Sequence, residues 1–332
     1  MPTVREAAMR LVEQVARVVV GKRTATEQLF AALLVDGHVL LDDVPGVGKT
    51  TLARALARSF SLSFHRVQCT PDLVPSDITG VSIYDQRTQR FEFRPGPVMA
   101  NLVLVDEINR ATPRAQSSLL EAMQERQITV DETTHRLPEP FCVIATQNPI
   151  ELEGTFPLPE AQLDRFLFLV KLGYPDASEE DEILRMHGPA SVATETLDPI
   201  YDAAALAALQ GEVRAVKVSD AVRKYIADIA RATRTADGVE LGASPRAALA
   251  LYRAAQAHAA IRGRAYVLPD DVKAQATAVL RHRIFMSADA QMRGRTGAAV
   301  VTDVLRSAPV PAEDDHRGAP PPESPPRSAL VQ

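Results

Sequence analysis

The clearest chemical signal in the chain is the stretch DDVPGVGKT at positions 42–50. Gly46 and Gly48 allow a tight backbone curl whose N–H groups point at phosphate oxygens, and a helix that begins directly afterwards adds its positive end. Lys49 is placed to reach the β- and γ-phosphates of a nucleotide, and the Thr50 hydroxyl is placed to bind Mg²⁺. With a nucleotide and Mg²⁺ as the expected ligands, the pattern assigns nucleotide binding to Pro45, Gly46, Val47, Gly48, Lys49, Thr50 and Thr51.

The stretch departs from the phosphate-loop pattern G-x-x-x-x-G-K-[ST] at one position, because Asp43 stands where the first glycine is expected. Asp43 comes at the exit of a predicted strand, far from where the terminal phosphates bind. We therefore expect the backbone conformation at this position to matter, rather than the lack of a side chain. A strand before the motif and a helix after it favour a working site over a chance match.

A second acidic pair lies further along the chain, where the apolar run Leu-Val-Leu-Val is followed by Asp106 and Glu107. This is the Walker B pattern, in which Asp106 holds Mg²⁺, mostly through water, and Glu107 polarises the attacking water. Without a phosphate loop upstream, two solvated acids at a strand end would be the simpler interpretation. Because Lys49 and Glu107 are both present, the sequence predicts an active hydrolytic site.

Three further polar residues are candidates for catalysis. Asn148 follows the apolar run 141–146, where an amide could hold the lytic water, although a lone Asn is also a common turn residue. Arg165 precedes the run 166–170, a position that suits either an arginine inserted into a neighbour's site or a surface salt bridge. Arg246 lies in the first turn of a helix capped by Ser244, where its charge opposes the helix dipole. A nucleotide phosphate would offset that cost, and a surface arginine without a ligand is the alternative.

The hydrophobic pattern predicts the elements that position these residues. Strands are predicted over 38–42, 63–69, 101–106, 141–146 and 166–170. Two helices over 4–35 are separated by a turn at Val20–Lys22, and another helix covers 51–58. Apolar strands that alternate with helices predict an α/β fold with a parallel sheet covered on both faces.

From about residue 176 the chain becomes alanine-rich and helical, without a strand signal. Helices are predicted over 203–215, 219–236, 244–262 and 270–283. We therefore divide the chain into an α/β domain (1–172), a smaller all-α domain (173–308) and a Pro-rich tail (309–332). The tail has too few apolar residues to bury, so we expect it to be disordered.

Composition narrows the function classes. The 332 residues are 46% apolar and 24% charged, with a net charge of −5, so no global positive field favours nucleic acid or anionic lipid. Cys69 and Cys142 are far apart and lie in strand-like segments, which predicts buried cysteines of a reducing compartment. The N-terminus lacks the pattern of a signal peptide, and no run of eighteen apolar residues predicts a membrane span. We expect a cytoplasmic protein.

With these residues in place, the chain resembles the MoxR family of AAA+ ATPases. The resemblance covers about residues 17–285 and rests on the segments VVVGKRTATEQL, LLDDVPGVGKTTLA, QCTPDLVPSDITG, FRPGPVMANLVLVDEINRATPRAQSSLLEAMQERQITVD, FCVIATQNPIELEGTFPLPEAQLDRF and GASPRAALAL. It implies a P-loop AAA+ core followed by an all-α lid. It also implies that Asn148 is sensor 1, Arg165 the arginine finger and Arg246 sensor 2. Gly21 would line the adenine pocket, and a non-glycine residue at the position of Asp43 is frequent in the family.

The resemblance also interprets two segments that alternate like hairpins, 81–93 and 126–137. They correspond to the helix-2 insert and the pre-sensor-1 hairpin, which point at the pore of a hexameric ring, whereas the residues alone favour plain surface hairpins. The implied activity is hydrolysis of ATP to ADP and phosphate in a ring oligomer. It would be coupled to chaperone-like remodelling or maturation of a protein partner, for example one with a von Willebrand A domain.

Two other functions fit the same motifs. One is a DNA-associated translocase of the same clade, which the acidic balance, the 5% aromatic content and the lack of basic runs disfavour. The other is a nucleotide-gated binding scaffold with little turnover, which the presence of Glu107 and Asn148 disfavours.

Overall fold

The computed structural model describes residues 2–44, 46–148, 154–186 and 197–311. The strands of these ranges are β1 (Val39–Asp42), β2 (Phe64–Gln68), β3 (Gly80–Asp85), β4 (Arg90–Pro95), β5 (Leu102–Asp106), β6 (Gln127–Val130), β7 (Thr133–Arg136), β8 (Cys142–Gln147), β9 (Phe168–Val170), β10 (Val239–Leu241) and β11 (Phe285–Met286). The helices are α1 (Val4–Ala16), α2 (Arg23–Leu34), α3 (Lys49–Ser59), α4 (Pro75–Thr79), α5 (Pro113–Glu125), α6 (Glu160–Leu163), α7 (Ala177–Met186), α8 (Ala203–Arg214), α9 (Asp220–Arg234), α10 (Pro245–Ile261), α11 (Pro269–Leu280), α12 (Ala288–Met292) and α13 (Gly297–Ser307). Short 3-10 turns cover Ile108–Arg110 and Arg281–Arg283.

The centre of the molecule is a five-stranded parallel sheet in the order β2-β5-β8-β1-β9. All five strands were predicted, and the observed strands begin within two residues and end within one residue of the predicted positions. β5 is buried along its whole length and β8 over all but its last residue, because neighbours flank them and helices cover both faces. β2 is an edge strand and is largely exposed. The parallel α/β prediction is confirmed.

Alternate side chains of the strands enter two separate cores. Leu41, Leu104 and Ile144 pack on the side of α1, α2 and α3, in a cluster that continues into the helices of the C-terminal region. Leu40 and Val103 face the other way and pack against α5. The period of two along each strand therefore gives the sheet its two hydrophobic faces.

The two predicted hairpins are present and lie outside the central sheet. β3 and β4 form one antiparallel ribbon, and β6 and β7 form the other. The rings of Phe93 on β4 and His135 on β7 stack with centroids 3.9 Å apart and planes at 16°. The two ribbons are therefore joined to each other through this contact.

The C-terminal region is helical, as predicted, and α8 to α11 begin within one residue of the expected positions. Three helices, α7, α12 and α13, were not predicted. In α13 the adjacent valines favour a strand by propensity, but Val300, Val301 and Val304 are buried in the same core as the neighbouring helices, and this packing outweighs the propensity.

The prediction of no strand after residue 176 missed a small ribbon, in which β10 pairs with β11. Its strands have three and two residues, which is too short to produce an alternating pattern. The helix predicted over 270–283 ends at Leu280, and the next three residues form the 3-10 turn. The predicted tail over 309–332 lies outside the described residues from position 312 onwards.

His38, directly before β1, joins three elements of the core. Its Nδ1 accepts the N–H of Val143 on β8 (3.0 Å), so its Nε2 is the donor to the carbonyl oxygen of Met123 on α5 (3.1 Å). Burial, reinforced by the positive charge of Arg126, lowers the pKa of His38 to about 3. The ring is therefore a neutral structural link at physiological pH.

Cys69 and Cys142 are both buried and unpaired, as predicted. Burial raises the pKa of each thiol to about 12, so neither is a nucleophile at neutral pH. Among the helices of the described ranges, none is both long and apolar enough to cross a bilayer.

Candidate active site

The order of the strands brings three predicted segments to one edge of the sheet. β8 lies between β5 and β1, and register pairs Val105 with Ala145 and Asp42 with Gln147. Because the strands are parallel, the phosphate loop after β1, the acidic pair at the end of β5 and Asn148 after β8 leave the sheet side by side. Residues distant in sequence thus converge at the carboxyl edge.

The phosphate loop has the backbone conformation that its glycines predict. Gly46 and Gly48 have φ angles of 84° and 89°, a region that side-chain-bearing residues rarely adopt. Gly48 is the N-cap of α3, so Lys49, Thr50 and Thr51 form the first turn of this helix and Val47 is buried beneath it. Apart from the chain neighbours of Gly46, no atom of the described residues lies within 4 Å of a Cβ built on this glycine, which leaves room above the loop. Pro45 lies outside the described residues.

Lys49 is held at the base of the loop. Its Nζ donates to the backbone oxygen of Asp43 at 2.9 Å. Partial burial lowers the pKa of Lys49, and the nearby carboxylates of Asp43, Asp106 and Glu107 oppose this shift. The ammonium group is thus surrounded by acids and positioned to enter a phosphate cradle.

Asp43 has a structural role that its sequence position did not predict. Its φ is not positive, so the site needs no glycine backbone, in agreement with the sequence analysis. Its buried carboxylate, however, accepts hydrogen bonds from the N–H of Leu172 and from the N–H of Gly173 (3.2 Å to Oδ2). Asp43 therefore ties the entrance of the phosphate loop to the chain that leads out of β9.

The acidic pair is organised by one hydroxyl group. Thr146 on β8 is buried, and its Oγ1 donates to Asp106 Oδ1 at 3.3 Å while accepting the N–H of Glu107 at 2.9 Å. Glu107 has a φ of 58°, which for a residue with a side chain is a strained conformation of the kind found at functional sites. The carboxylate of Glu107 pairs with Arg110 at 3.1 Å. Thr146 and Arg110 thus fix the backbone and the carboxylate of the proposed base.

The donor groups fit Mg²⁺, which prefers hard oxygen ligands, keeps several waters and is commonly shared with substrate phosphates. Thr50 offers a hydroxyl and Asp106 a carboxylate, in the roles expected of them. The second oxygen of Asp106, Oδ2, accepts a hydrogen bond from Nε of Arg66 on β2 at 2.6 Å. Thr50 and Asp106 would hold the ion, and its positive charge would offset the negative charge of the nucleotide phosphates.

The predicted adenine residue Gly21 lies in the turn between α1 and α2. The turn is near the phosphate loop, because a Cβ on Gly48 would contact Val19 at 3.9 Å. Gly21 has a φ of 72° and is covered by Glu179 of α7, whose Oε1 would lie 1.7 Å from a Cβ at this position. The ion pair of Glu179 with Lys22 (3.7 Å) holds α7 over the turn. The close approach explains the glycine, and its role in binding adenine stays a prediction.

The two predicted arginines lie at the opposite edge of the sheet. A cavity of about 360 Å³ is bordered by residues 35–38, which lead into β1, and by Arg165, which precedes β9. The charged residues of its lining are Asp36, Arg126, Asp164, Arg165, Arg246, Arg253 and Arg283. The lining includes none of the described phosphate-loop residues, and the four residues of β1 separate the two edges by about 13 Å.

Arg165 and Arg246 are thus brought together with each other but not with their own chain's phosphate loop. Arg246 is exposed in the first turn of α10. The Nε atom of Arg165 is buried and has no hydrogen-bond partner among the described residues. With five arginines against two aspartates, this cavity has the charge to receive an anion.

Four residues that contact or border these sites were not predicted from the sequence. Thr146 and Arg66 contact Asp106 from neighbouring strands, and Asp164 and Arg283 border the arginine cavity. A threonine or arginine within a strand has no local signature of this kind, because only the pairing of strands brings it to the acid. Asp164 had one signal, its position next to Arg165.

Comparison with known proteins agrees with this geometry. Residues 38–168 match the model of the "ATPase family associated with various cellular activities (AAA)", and residues 231–304 match the AAA lid domain. A crystal structure of a candidate ATPase from Cytophaga hutchinsonii superposes with a TM-score of 0.88 at 39% identity, covering 93% of this chain and 96% of that one. The fold and the site therefore define an ATPase of the AAA+ class with an all-α lid.

Individual relatives place the chain more narrowly. It is 50% identical to the uncharacterized protein YeaC of Bacillus subtilis, over 92% of this chain and 95% of that protein. It is 42% identical to "Chaperone MoxR1" of Mycobacterium tuberculosis, over 91% and 82%, and 35% identical to "Protein MoxR" of Paracoccus denitrificans, over 89% and 94%. The chain belongs to the MoxR family of AAA+ ATPases, as its motifs predicted.

The role of the Asp43 carboxylate leads to a first prediction. Asp43→Gly restores the usual loop pattern but leaves the N–H groups of Leu172 and Gly173 without their acceptor. We expect the free energy of unfolding to fall by about 2 kcal/mol. ADP affinity should stay within about tenfold, because the backbone oxygen that holds Lys49 is retained. Urea unfolding and nucleotide titration measure the two effects.

Asp43→Asn, which keeps one acceptor oxygen, is the matched control and should lose less stability than the glycine variant. If the glycine variant is as stable as the parent, the hydrogen bonds to residues 172–173 contribute nothing to the folded state.

A second prediction concerns Glu107. Glu107→Gln keeps the shape of the side chain but cannot accept a proton from water. We expect ATP to bind normally and turnover to fall at least about a hundredfold. Phosphate release measured beside ATP titration separates the two steps. Turnover near the parental rate would show that a different group activates the water.

Proposed function

We propose that this ATPase works as a ring oligomer, a hexamer by analogy with similar AAA+ proteins, and that its ATP cycle remodels or matures a protein partner. One observation carries the ring: Arg165 and Arg246 lie at the amino edge of the sheet, while the phosphate loop and Glu107 lie at the carboxyl edge. Arginines that act on a γ-phosphate from there have to reach the site of an adjacent subunit. A head-to-tail interface that closes into a ring provides this arrangement for every subunit.

Within each site of the ring, the roles would be divided between two chains. The first chain holds the phosphates with its loop and Lys49, places Mg²⁺ with Thr50 and Asp106, and activates water with Glu107, assisted by Asn148. The second chain contributes Arg165 and Arg246 to the charge that develops in phosphoryl transfer. The buried Nε of Arg165, which lacks a partner within the described part of the chain, supports this role.

The domains proposed from the sequence fit this cycle. Residues 1–172 would carry the nucleotide site, residues 173–308 would form the lid, and the tail over 309–332 would lie outside both. Asp43 binds residues 172 and 173 and so joins the loop to the start of the lid. Movement of the loop on nucleotide exchange would thereby be passed to the lid.

The two ribbons, β3–β4 and β6–β7, would contact the protein partner. Tyr84 and Phe91, paired across the β3–β4 ribbon, have rings 5.3 Å apart and are 49% and 73% exposed. Exposed aromatic side chains of this kind are suited to contact with apolar segments of another protein. The ribbon leads into β5 and the second ribbon leads into β8, so each is adjacent to a strand that ends at the nucleotide site.

The naming of a relative as a chaperone supports this proposal. A von Willebrand A domain protein is one candidate partner. The net charge of −5 does not favour nucleic acid as the partner.

Mixing two inactive variants tests the shared site. Arg165→Ala should bind ATP but hydrolyse it at least about a hundredfold slower, and Lys49→Ala should fail to bind. In an equal mixture, about a quarter of the interfaces pair an intact Lys49 with an intact Arg165, so phosphate release should return to a corresponding fraction of the parental rate. No recovery, in mixed rings shown by native mass spectrometry to form, would contradict the proposal.

A second test addresses the ribbon. Phe91→Ser should leave the basal ATPase rate within a few-fold of the parental rate, because the side chain is far from the phosphate loop. It should abolish the stimulation of the ATPase rate by a permanently unfolded protein such as reduced, carboxymethylated α-lactalbumin. Thr88→Ser, in the turn of the same ribbon, is the control. Equal stimulation of the parent protein, Phe91→Ser and Thr88→Ser would show that the partner binds elsewhere.

A further inference from the structure

The carboxylate of Asp164, directly before Arg165, contacts two separate segments of the helical region. Its Oδ1 accepts from Nε of Arg283 at 2.7 Å, and its Oδ2 accepts from Oγ of Ser244 at 3.3 Å. Arg283 ends the 3-10 turn after α11, and Ser244 is the N-cap of α10. One side chain of the core thus holds both segments in place.

Of the two residues that bind the carboxylate of Asp164, Arg283 is the more deeply buried and makes more hydrogen bonds. It is 5% exposed, and besides Asp164 Oδ1 its guanidinium binds the backbone oxygens of Asp164 (3.0 Å), Phe166 (2.6 Å), Leu167 (3.2 Å) and Val279. Burial lowers the pKa of Arg283, and the negative charge of Asp164 opposes this shift. A buried guanidinium with its donors satisfied in a planar fork has little freedom to move.

The two preceding residues contact the same stretch of backbone. Nε2 of His282 lies 3.0 Å from the oxygen of Phe166, and Arg281 donates to the oxygen of Leu169 at 2.8 Å. Residues 281–283 therefore bind the backbone of 164–169 through three consecutive side chains. Arg165 lies inside that stretch, so its main chain is fixed from both sides.

Ser244 extends the connection to the second arginine. Its Oγ accepts the N–H of Ala247 at 3.1 Å and so caps α10, whose first turn contains Arg246. The negative charge of Asp164 near this helix end also offsets the unfavourable position of Arg246 relative to the helix dipole. The unfavourable interaction of Arg246 with the helix dipole is thus offset within the same chain.

We propose that Asp164 and Arg283 are positioning residues that hold Arg165, from the core, and Arg246, from the lid, at one fixed separation. The two cations then act as a single unit on the nucleotide of the neighbouring subunit. This inference rests on the shared site of the proposed function. It goes beyond it in assigning the geometry of the pair to an acid that binds Arg283 and Ser244 of its own chain.

The test uses the full-length protein with Asp164→Asn, which keeps the size of the side chain but removes the charge opposite Arg283. ATP affinity should stay within about threefold, because the phosphate loop is at the other edge of the sheet. The turnover number should fall at least about tenfold, since small displacements of positioned groups have costs of this order. Asp303→Asn, which breaks the exposed ion pair of Asp303 with Arg295 (3.2 Å), is the matched control and should hydrolyse at the parental rate.

Mixed rings separate positioning from general damage. Asp164→Asn has an intact phosphate loop, so mixing it with Lys49→Ala should restore hydrolysis to the level reached by Arg165→Ala with Lys49→Ala. Mixing it with Arg165→Ala should restore nothing, because both chains lack a working arginine pair. Recovery in the second mixture, or parental turnover of the variant alone, would overturn the proposal. Loss of ATP binding together with no recovery in the first mixture would also overturn it, since the defect would then be one of folding.

A milder variant tests the proposal if Asp164→Asn cannot be obtained as folded protein. Ser244→Ala removes the contact of Asp164 with α10 together with the N-cap hydrogen bond of that helix, but keeps the contact of Asp164 with Arg283. It should lower turnover about threefold or more with unchanged ATP affinity. Unchanged turnover would remove Arg246 from the proposed unit. If mixtures of Arg165→Ala with Lys49→Ala show no recovered hydrolysis, the proposed shared site is wrong. Reduced turnover of Asp164→Asn and Ser244→Ala, with parental turnover of Asp303→Asn, would then still show that Asp164 positions the arginines within one chain.

Discussion

The common direction of the five central strands is the constraint on which the other features depend. Parallel strands end at one edge and begin at the other, so segments that follow strands cannot mix with segments that precede them. The phosphate loop, the pair Asp106–Glu107 and Asn148 all follow strands, while Arg165 precedes one. One chain therefore carries the predicted site residues at two opposite edges of the sheet, and this separation is the physical reason for which we propose assembly into a ring.

Two aspartates connect the sheet to the helical region, one at each edge. Asp43 at the carboxyl edge binds the backbone N–H groups that begin the path into the helices, and Asp164 at the amino edge binds Ser244 and Arg283. Both use a charged acceptor with several donors, which is stronger and more directional than a neutral hydrogen bond. The helical region is in this way joined to both edges of the sheet.

Hydrophobic packing supplies the background to these polar contacts. One continuous core runs from the sheet through α1 and α2 into α10 and α11, so the helical region shares its interior with the α/β region. The polar contacts do not need to supply the bulk of the stability. Their role is to select one arrangement among those that the apolar surfaces would permit.

Much of the fold and the centre of the site could be predicted from the residues. Gly46, Gly48, Lys49 and Thr50 are local in sequence, and each depends on the conformation of a single loop and helix start. The apolar runs before Asp106 and Asn148 predict buried strands, because an uninterrupted hydrophobic segment of this length fits a sheet covered on both faces. Elements without such a signal were missed, including the short ribbon of β10 and β11 and the valine-rich α13.

Only the tertiary structure decided which residues far apart in the chain contact each other. The hydroxyl of Thr146 reaches Asp106 and Glu107 because β8 pairs with β5, and Arg283 reaches Asp164 across 119 positions because the helices fold back on β9. A carboxylate, hydroxyl or guanidinium has the same appearance in a sequence whether it is solvated or buried against a partner. The sequence by itself thus determined the type of chemistry and the elements that carry it, whereas strand order and packing decided which groups meet, because hydrogen bonds and charge pairs depend on distances of a few ångströms.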